Sequence, residues 1–256
     1  LHIEPRSKAE RGYILSGAVI PVPIKAAHAA IHKHQTAGEA WNAIIQTALV
    51  QLVANVPGFL ENAHDTEYLH QLRIALRRLH TGVLLTKSLG LESPDWNQSL
   101  RESLHTFNPA RDWDVFLQET LSQTIMVLEE SPGNVPVQDT TLALMHDVAA
   151  HARQRAQAWL LKPVFTRLVL NIGRSLLTIP VDNQMRDAKA WAEAILEKHW
   201  HTLQKRCHGF AKLDSSERHR VRIAAKKMRY TAEAFVPRYG KRANHFITAL
   251  AAFQDE

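Results

Sequence analysis

HRVRIAAKKMRYTAEAF, residues 219–235, and HQLRIALRRLHTGVLL, residues 70–85, decide how the rest of the chain is read. In the first, His219, Arg222, Lys226 and Arg229 stand at spacings 0, 3, 7 and 10, and His70, Arg73, Arg77 and His80 repeat those spacings in the second. At about 100° per residue these positions span an arc of roughly 80° on a helix, so each segment carries one ridge of nitrogen donors. Leu72, Leu76, Leu79 and Val83, and likewise Val221, Ala225, Met228 and Ala232, form an apolar stripe centred roughly 100° round from that arc. The ridges are therefore expected to flank the core. Like charges at helical neighbour spacing cost about 0.2 to 0.5 kcal/mol per pair. No acid lies between His70 and Lys87 to relieve them, and in the second segment only Glu233, four residues after Arg229, can pair with the ridge. A solvated surface helix would alternate signs, so two uncompensated rows predict an anionic partner.

Charge over the whole chain points the same way. The 256 residues carry 31 Lys and Arg against 25 Asp and Glu, a formal net charge of +6 before any of the 15 His is protonated. That balance favours a polyanion, whether nucleic acid, a phosphate polymer or an anionic lipid surface. The excess is local: from Lys205 to Arg229 the bases are Lys205, Arg206, Lys212, Arg218, Arg220, Arg222, Lys226, Lys227 and Arg229, against only Asp214 and Glu217. A hydrophobic content of 45% can bury a large core, and few Gly and Pro predict long periodic segments. The single Cys207 excludes an intrachain disulfide and fits a reducing compartment. Beside Lys205 and Arg206, but with no base and orienting partner, it is read as structural. No charged, apolar, small-residue signal opens the chain. The apolar runs Trp41 to Leu60 and Val164 to Val181 are broken by Asn and Gln or by Arg and Asn, so neither reads as membrane-spanning. The expected location is the cytoplasm.

Residues 1–20 differ from the rest, ending in alternating and β-branched residues that suggest a strand, and Pro21, Val22 and Pro23 open a linker to about Gly38. From Glu39 the periodicity is helical almost throughout. Pro57-Gly58 is expected to stop the first helix, Asp65 or Thr66 to cap the helix of His70, and Gly90 to end it. Ser93-Pro94 should start a helix that Asn108-Pro109 ends, with Asp112 beginning the next. Ser131 to Asp139 reads as a loop at the midpoint. Helices follow at about 140–161, 163–178 and 185–209, then one capped by Ser215 or Ser216, and a last from about 241. Ala40-Trp41 followed by His70-x-x-Arg-Ile-Ala is echoed by Ala190-Trp191 and His219-x-x-Arg-Ile-Ala, the Trp pair offset by 150 positions and the His pair by 149. This internal repeat predicts an all-α chain of two four-helix bundles, in halves of about 39–135 and 139–256.

The two basic segments, with ARDWDVF at 110–116, resemble the signatures of the CHAD family, the conserved histidine α-helical domain, over about residues 38–256. The resemblance implies two four-helix bundles related by a pseudo-twofold axis, and a basic groove between them that binds inorganic polyphosphate. Carried over position by position, the binding residues are His70, Arg73, Arg77 and Arg78 from the first motif, and His219, Arg222, Lys226, Lys227 and Arg229 from the second. His80 stands where the family usually has Arg, which makes binding more sensitive to pH. The family typically continues past FQDE, so the last helix is expected to be incomplete. SKAERGY at 7–13 resembles the closing segment of a CYTH domain, making residues 1–20 the tail of such a domain. The metal- and triphosphate-binding part of that fold lies N-terminal to this segment, and no triphosphatase activity is assigned to these residues.

Other candidate sites read as structural. Asp112 and Asp114 suit a first helical turn; on a sharper reading Arg111 reaches the groove and the aspartates orient neighbouring arginines. His28 and His32 are four apart, a spacing that can bind zinc, but His34 and Glu39 complete no known pattern, so no metal site is expected. The tryptophans Trp41, Trp96, Trp113, Trp159, Trp191 and Trp200 read as core. The reading is thus a non-catalytic binder of inorganic polyphosphate, with no cofactor, no catalytic residue and no membrane partner. A histidine phosphotransfer protein and a nucleic-acid-binding helical module are the alternatives.

Overall fold

A computed structural model describes residues 3–62, 64–130, 139–178 and 187–255, and these residues are all-α. In chain order the helices are α1 (Lys8–Leu15), α2 (Ala37–Glu61), α3 (Thr66–Thr86), α4 (Asn97–Val115), α5 (Leu121–Glu130) and α6 (Asp139–Leu160). They continue as α7 (Pro163–Thr178), α8 (Ala188–Cys207), α9 (Ser215–Ala234), α10 (Val236–Tyr239) and α11 (Lys241–Asp255). Among the described residues the extended pairing is a single bridge between Thr36 and Asp187, the residues just before α2 and α8. Of the expected midpoint loop, 131–138 lies outside the described residues.

Packing divides the chain into two compact units, and not into sequence halves. One contains 1–26, 49–77 and 95–172, the other 27–48, 78–94 and 173–256. The helices α2, α3 and α7 contribute to both, the boundary in α3 falling between Arg77 and Arg78. In the first unit Phe59 and Phe107 lie with ring centroids 6.2 Å apart. Gln157 of α6 closes the end of α2, its amide donating to the Phe59 carbonyl at 2.9 Å. In the second unit the repeated tryptophans bond to α3 and to the turn that follows it: the Trp41 indole donates to the Gly82 carbonyl of α3 at 2.8 Å, and the Trp191 indole to Oγ of Ser88, in the 3-10 turn Lys87–Leu89, at 2.8 Å. The core of α9 packs Val221, Ala225 and Met228 with Leu203 and Leu250. Trp41, Trp96 and Trp191 are buried as expected, but Trp200 remains 40% exposed against Phe246.

Several boundaries correct the sequence reading. The expected strand at the end of residues 1–20 is replaced by α1, because Ser7 caps it by accepting from the Glu10 amide at 3.1 Å and Gly17 leaves it with φ 75°. Pro57 and Pro109 sit inside α2 and α4 without ending them. An interior proline costs about 3 kcal/mol, and burial of Val56 and Phe59 on one helix and Phe107 and Ala110 on the other outweighs it. After Val115 the helix runs through one π turn, Phe116–Thr120, directly into α5. Asp112 and Asp114 therefore lie inside a continuous helical run and not in the first turn that was expected. Ser93 does not cap α4, whose first residue is Asn97. Nor do Ser215 or Ser216 cap α9; Asp214 does, in a reciprocal box with Glu217 at 2.7 and 3.0 Å.

The linker is bound to the helices. Buried Asn55 accepts from the Ile24 amide and donates to the Ile24 carbonyl, both at 2.9 Å. That bond explains one of the polar residues in α2, a helix long and apolar enough to cross a membrane yet with its inner face packed in this fold. Glycine at 58 has a steric reason: a Cβ there would stand 2.1 Å from the ring of buried Tyr68. Gly58→Ala should therefore destabilise the chain by about 1–3 kcal/mol despite its better helix propensity. Urea unfolding measures this, and an unchanged midpoint would show that the ring yields freely.

Candidate functional site

The ridge on α3 is held half-buried. His70, Arg73, Arg77 and His80 are all partly covered, as expected of residues bordering the stripe of Leu72, Leu76, Leu79 and Val83, which is buried throughout. Arg73 reaches across to α4, its Nη1 donating to Asn108 Oδ1. Arg111, one turn further along α4, is also half-buried and lies near enough to act on His70. Burial, and after it the charge of Arg111, holds the His70 imidazole below its ordinary value; Glu67 opposes, and Arg77 and Arg73 reinforce. Near neutrality His70 is thus an uncharged member of a cationic row.

Arg78 falls outside the row. It sits about 100° round the helix from Arg77, and its Nη2 donates to the Ala27 carbonyl at 2.6 Å, fixing the linker. Burial lowers its pKa, with Glu233 opposing. The structure therefore gives Arg78 a structural bond that the motif carry-over did not foresee.

The ridge on α9 is more open. His219, Arg222 and Lys226 are exposed and, with Arg218, Ser215 and Ile223, line a depression of about 650 Å³. Arg218 comes from outside the repeated spacing and stands over the Phe210 ring, 5.7 Å from its centroid. Arg229, at the end of the ridge, is half-buried: it stacks on Tyr230 at 4.8 Å, donates to the Tyr230 hydroxyl at 3.2 Å, and lies 3.8 Å from Glu233, the one acid the sequence offered it. Its Nε is buried and has no partner among the described residues. Lys227 is exposed but lies about 80° from His219 on the helix. It acts instead on His199 of α8, whose imidazole burial, then Lys227 and Lys198, hold below the ordinary value. The His199 Nδ1 lies 3.1 Å from Thr231 Oγ1. Cys207 is half-buried against the α9 core, and burial pushes its thiol up, as suits a structural cysteine.

The two rows present forks of N–H donors, one ammonium and three imidazoles, which is chemistry for holding phosphate or carboxylate oxygens. One participant was invisible to spacing arguments. Asp114, fully buried, accepts at Oδ1 from Arg153 Nε at 2.9 Å and from Arg153 Nη2, and Arg153 belongs to α6. The aspartate does orient an arginine, but one 39 residues away and not a sequence neighbour. Arg218 was legible by helix arithmetic, since one residue before His219 it falls near the angular position of Arg229.

The family model described as CHAD domain matches residues 43–256. Among solved structures, the crystal structure of the CHAD domain from the plant Ricinus communis is similar, with 29% sequence identity and a TM-score of 0.76 over 91% of this chain and 78% of that one. No curated protein matches.

The two depressed imidazoles fix a pH dependence. A histidine with a folded pKa below its unfolded value binds protons more readily when unfolded, so stability falls as pH drops through the unfolded value, about 6.5. Unfolding midpoints in urea at pH 7.5, 6.5 and 5.5 should decline, and His70→Gln should make the decline shallower. A decline of unchanged steepness in the variant would remove His70 from this role.

Proposed function

The chain belongs to the CHAD domain family, and on that footing we propose that it binds inorganic polyphosphate, without turning it over, through the cation rows of α3 and α9. The observation that carries the reading is the repetition itself: the same four spacings recur on two helices, and the second row lines an open depression. A phosphoryl group needs one or two cations, whereas a row of four positions over about 15 Å of helix suits a linear anion with charge at every repeat. Guanidinium forks take phosphate oxygens in pairs, Lys226 adds a mobile point charge, and the histidines supply donors whose charge follows pH. Because an anion raises the pKa of an imidazole beside it, binding takes up protons, and affinity should rise as pH falls.

Arg73→Ala with Arg222→Ala should weaken binding of long-chain polyphosphate by about 100-fold, taking two charge-assisted hydrogen bonds at about 1.5 kcal/mol each. Changing the exposed Lys8 and Lys25 together, which removes the same formal charge, should change it little. Titration across a salt series should show a slope shallower by about 0.7 for each phosphate that the double variant no longer neutralises. Equal losses from both pairs would mean that net charge and not the rows does the binding. Displacement of polyphosphate by single-stranded nucleic acid at equal phosphate concentration would move the reading to a general polyanion binder.

A further inference from the structure

Two lines of side chains run next to each other on the open face of α9. Arg218, Arg222 and Lys226 stand four apart, and so do Ser215, His219 and Ile223, which sets each trio one above the other along the helix. The lines are about 60° apart round the helix, and all six residues border the same depression of about 650 Å³, joined there by Leu213 from the turn before α9. A hollow of that size holds a small organic molecule. One line is cationic; the other passes from a hydroxyl through an imidazole ring to an apolar side chain.

The cationic line is left without counter-charge. Glu217 pairs with Arg220 at 3.9 Å and Glu233 with Arg229 at 3.8 Å, and among the described residues Arg218, Arg222 and Lys226 have no ion-pair partner. Arg218 is held instead over the Phe210 ring.

The second line offers what a bare chain of phosphates cannot use. Ile223 is 43% exposed where it borders the depression, and polyphosphate has no apolar surface to set against it or against Leu213. The internal repeat sharpens the contrast. At the offset of 149 positions, α3 has a half-buried Ile74 in the place of Ile223 and a buried Leu69 in the place of Arg218. The exposed apolar wall and the extra guanidinium therefore belong to α9 alone, beyond the row that both helices share.

We infer that the α9 depression binds a nucleoside triphosphate, with its phosphates on Arg218, Arg222 and Lys226 and its base stacked on His219 and packed against Ile223. This rests on the phosphate-binding reading of the α9 row above. The cationic line covers about 12 Å of helix, enough to follow a short phosphate chain. A planar base presents a π-face to the imidazole and apolar surface to Ile223. A nucleotide bound there occupies cations that polyphosphate also needs, so the two ligands compete and the nucleotide regulates how tightly the polymer is held.

The test measures binding of adenosine triphosphate and of inorganic tripolyphosphate to the full chain by calorimetry, and then competition of each with long-chain polyphosphate. The nucleotide should bind about tenfold tighter than tripolyphosphate, the gain of one stacked base, and should weaken polyphosphate binding in competition. Ile223→Ser, at an exposed position, should weaken the nucleotide about fivefold and leave tripolyphosphate unchanged. Arg222→Ala should weaken both about tenfold. Equal affinity for the two ligands in the wild-type chain would overturn the proposal, as would Ile223→Ser weakening both or neither, or Arg222→Ala sparing the nucleotide. Wild-type chain that binds polyphosphate but not the nucleotide defeats only this inference. Nucleotide binding without polyphosphate binding defeats the polyphosphate reading and leaves this one, and a chain that binds neither defeats both.

Discussion

Like charges stacked on one helix face repel, and a helix that must also bury an apolar stripe has only the flank of that stripe left for them. Everything distinctive here follows from that constraint. On α3 the row is partly covered, so its members need neighbours: Asn108 meets Arg73, Arg111 presses on His70, and His70 loses its charge. On α9 the row is left in solvent except at Arg229, which an aromatic ring and one carboxylate hold in place. Neither solution cancels the charge. Each keeps it in place at the border of the core, where the local dielectric is lower than water and opposite charges attract more strongly.

Much of this was legible in sequence, and for a definite reason. Helical periodicity with a sharp division between apolar and basic positions is a local property, and it gave the elements, the ridges and the buried stripes of Leu72, Leu76 and Leu79 and of Val221, Ala225 and Met228. The repeat placed Trp41 and Trp191 in equivalent roles, and their indoles bond to the last turns of α3 and to the 3-10 turn after it. What failed was local punctuation. Pro57 and Pro109 looked like stops, but a helix whose flanking residues are buried continues through the missing hydrogen bond. The strand read into residues 1–20 lost to a serine cap at Ser7, a signal contained in Ser7 to Glu10 but obscured by the β-branched residues further on.

The site was legible in part. Position on the helix wheel separates the row from Arg78 and Lys227, which the motif alone groups with it; one of these fixes the linker and the other acts on His199. Asp114 and Arg153 show the opposite limit. Their bond joins α4 to α6, and no spacing rule links positions 39 apart. Only packing reveals that the second aspartate of ARDWDVF serves an arginine on another helix, and that Asp112, exposed two residues earlier, does not.

On the proposed reading it is the rows, and not total charge, that meet the polymer. Nitrogen-15 NMR of the arginine Nε–Hε groups during titration with long-chain polyphosphate reads this residue by residue. The shifts of Arg73, Arg77 and Arg222 should move first and saturate together, while those of the exposed off-row Arg11, Arg155 and Arg167 stay in place until excess ligand is present. Shifts that move in parallel across all of these arginines would contradict it.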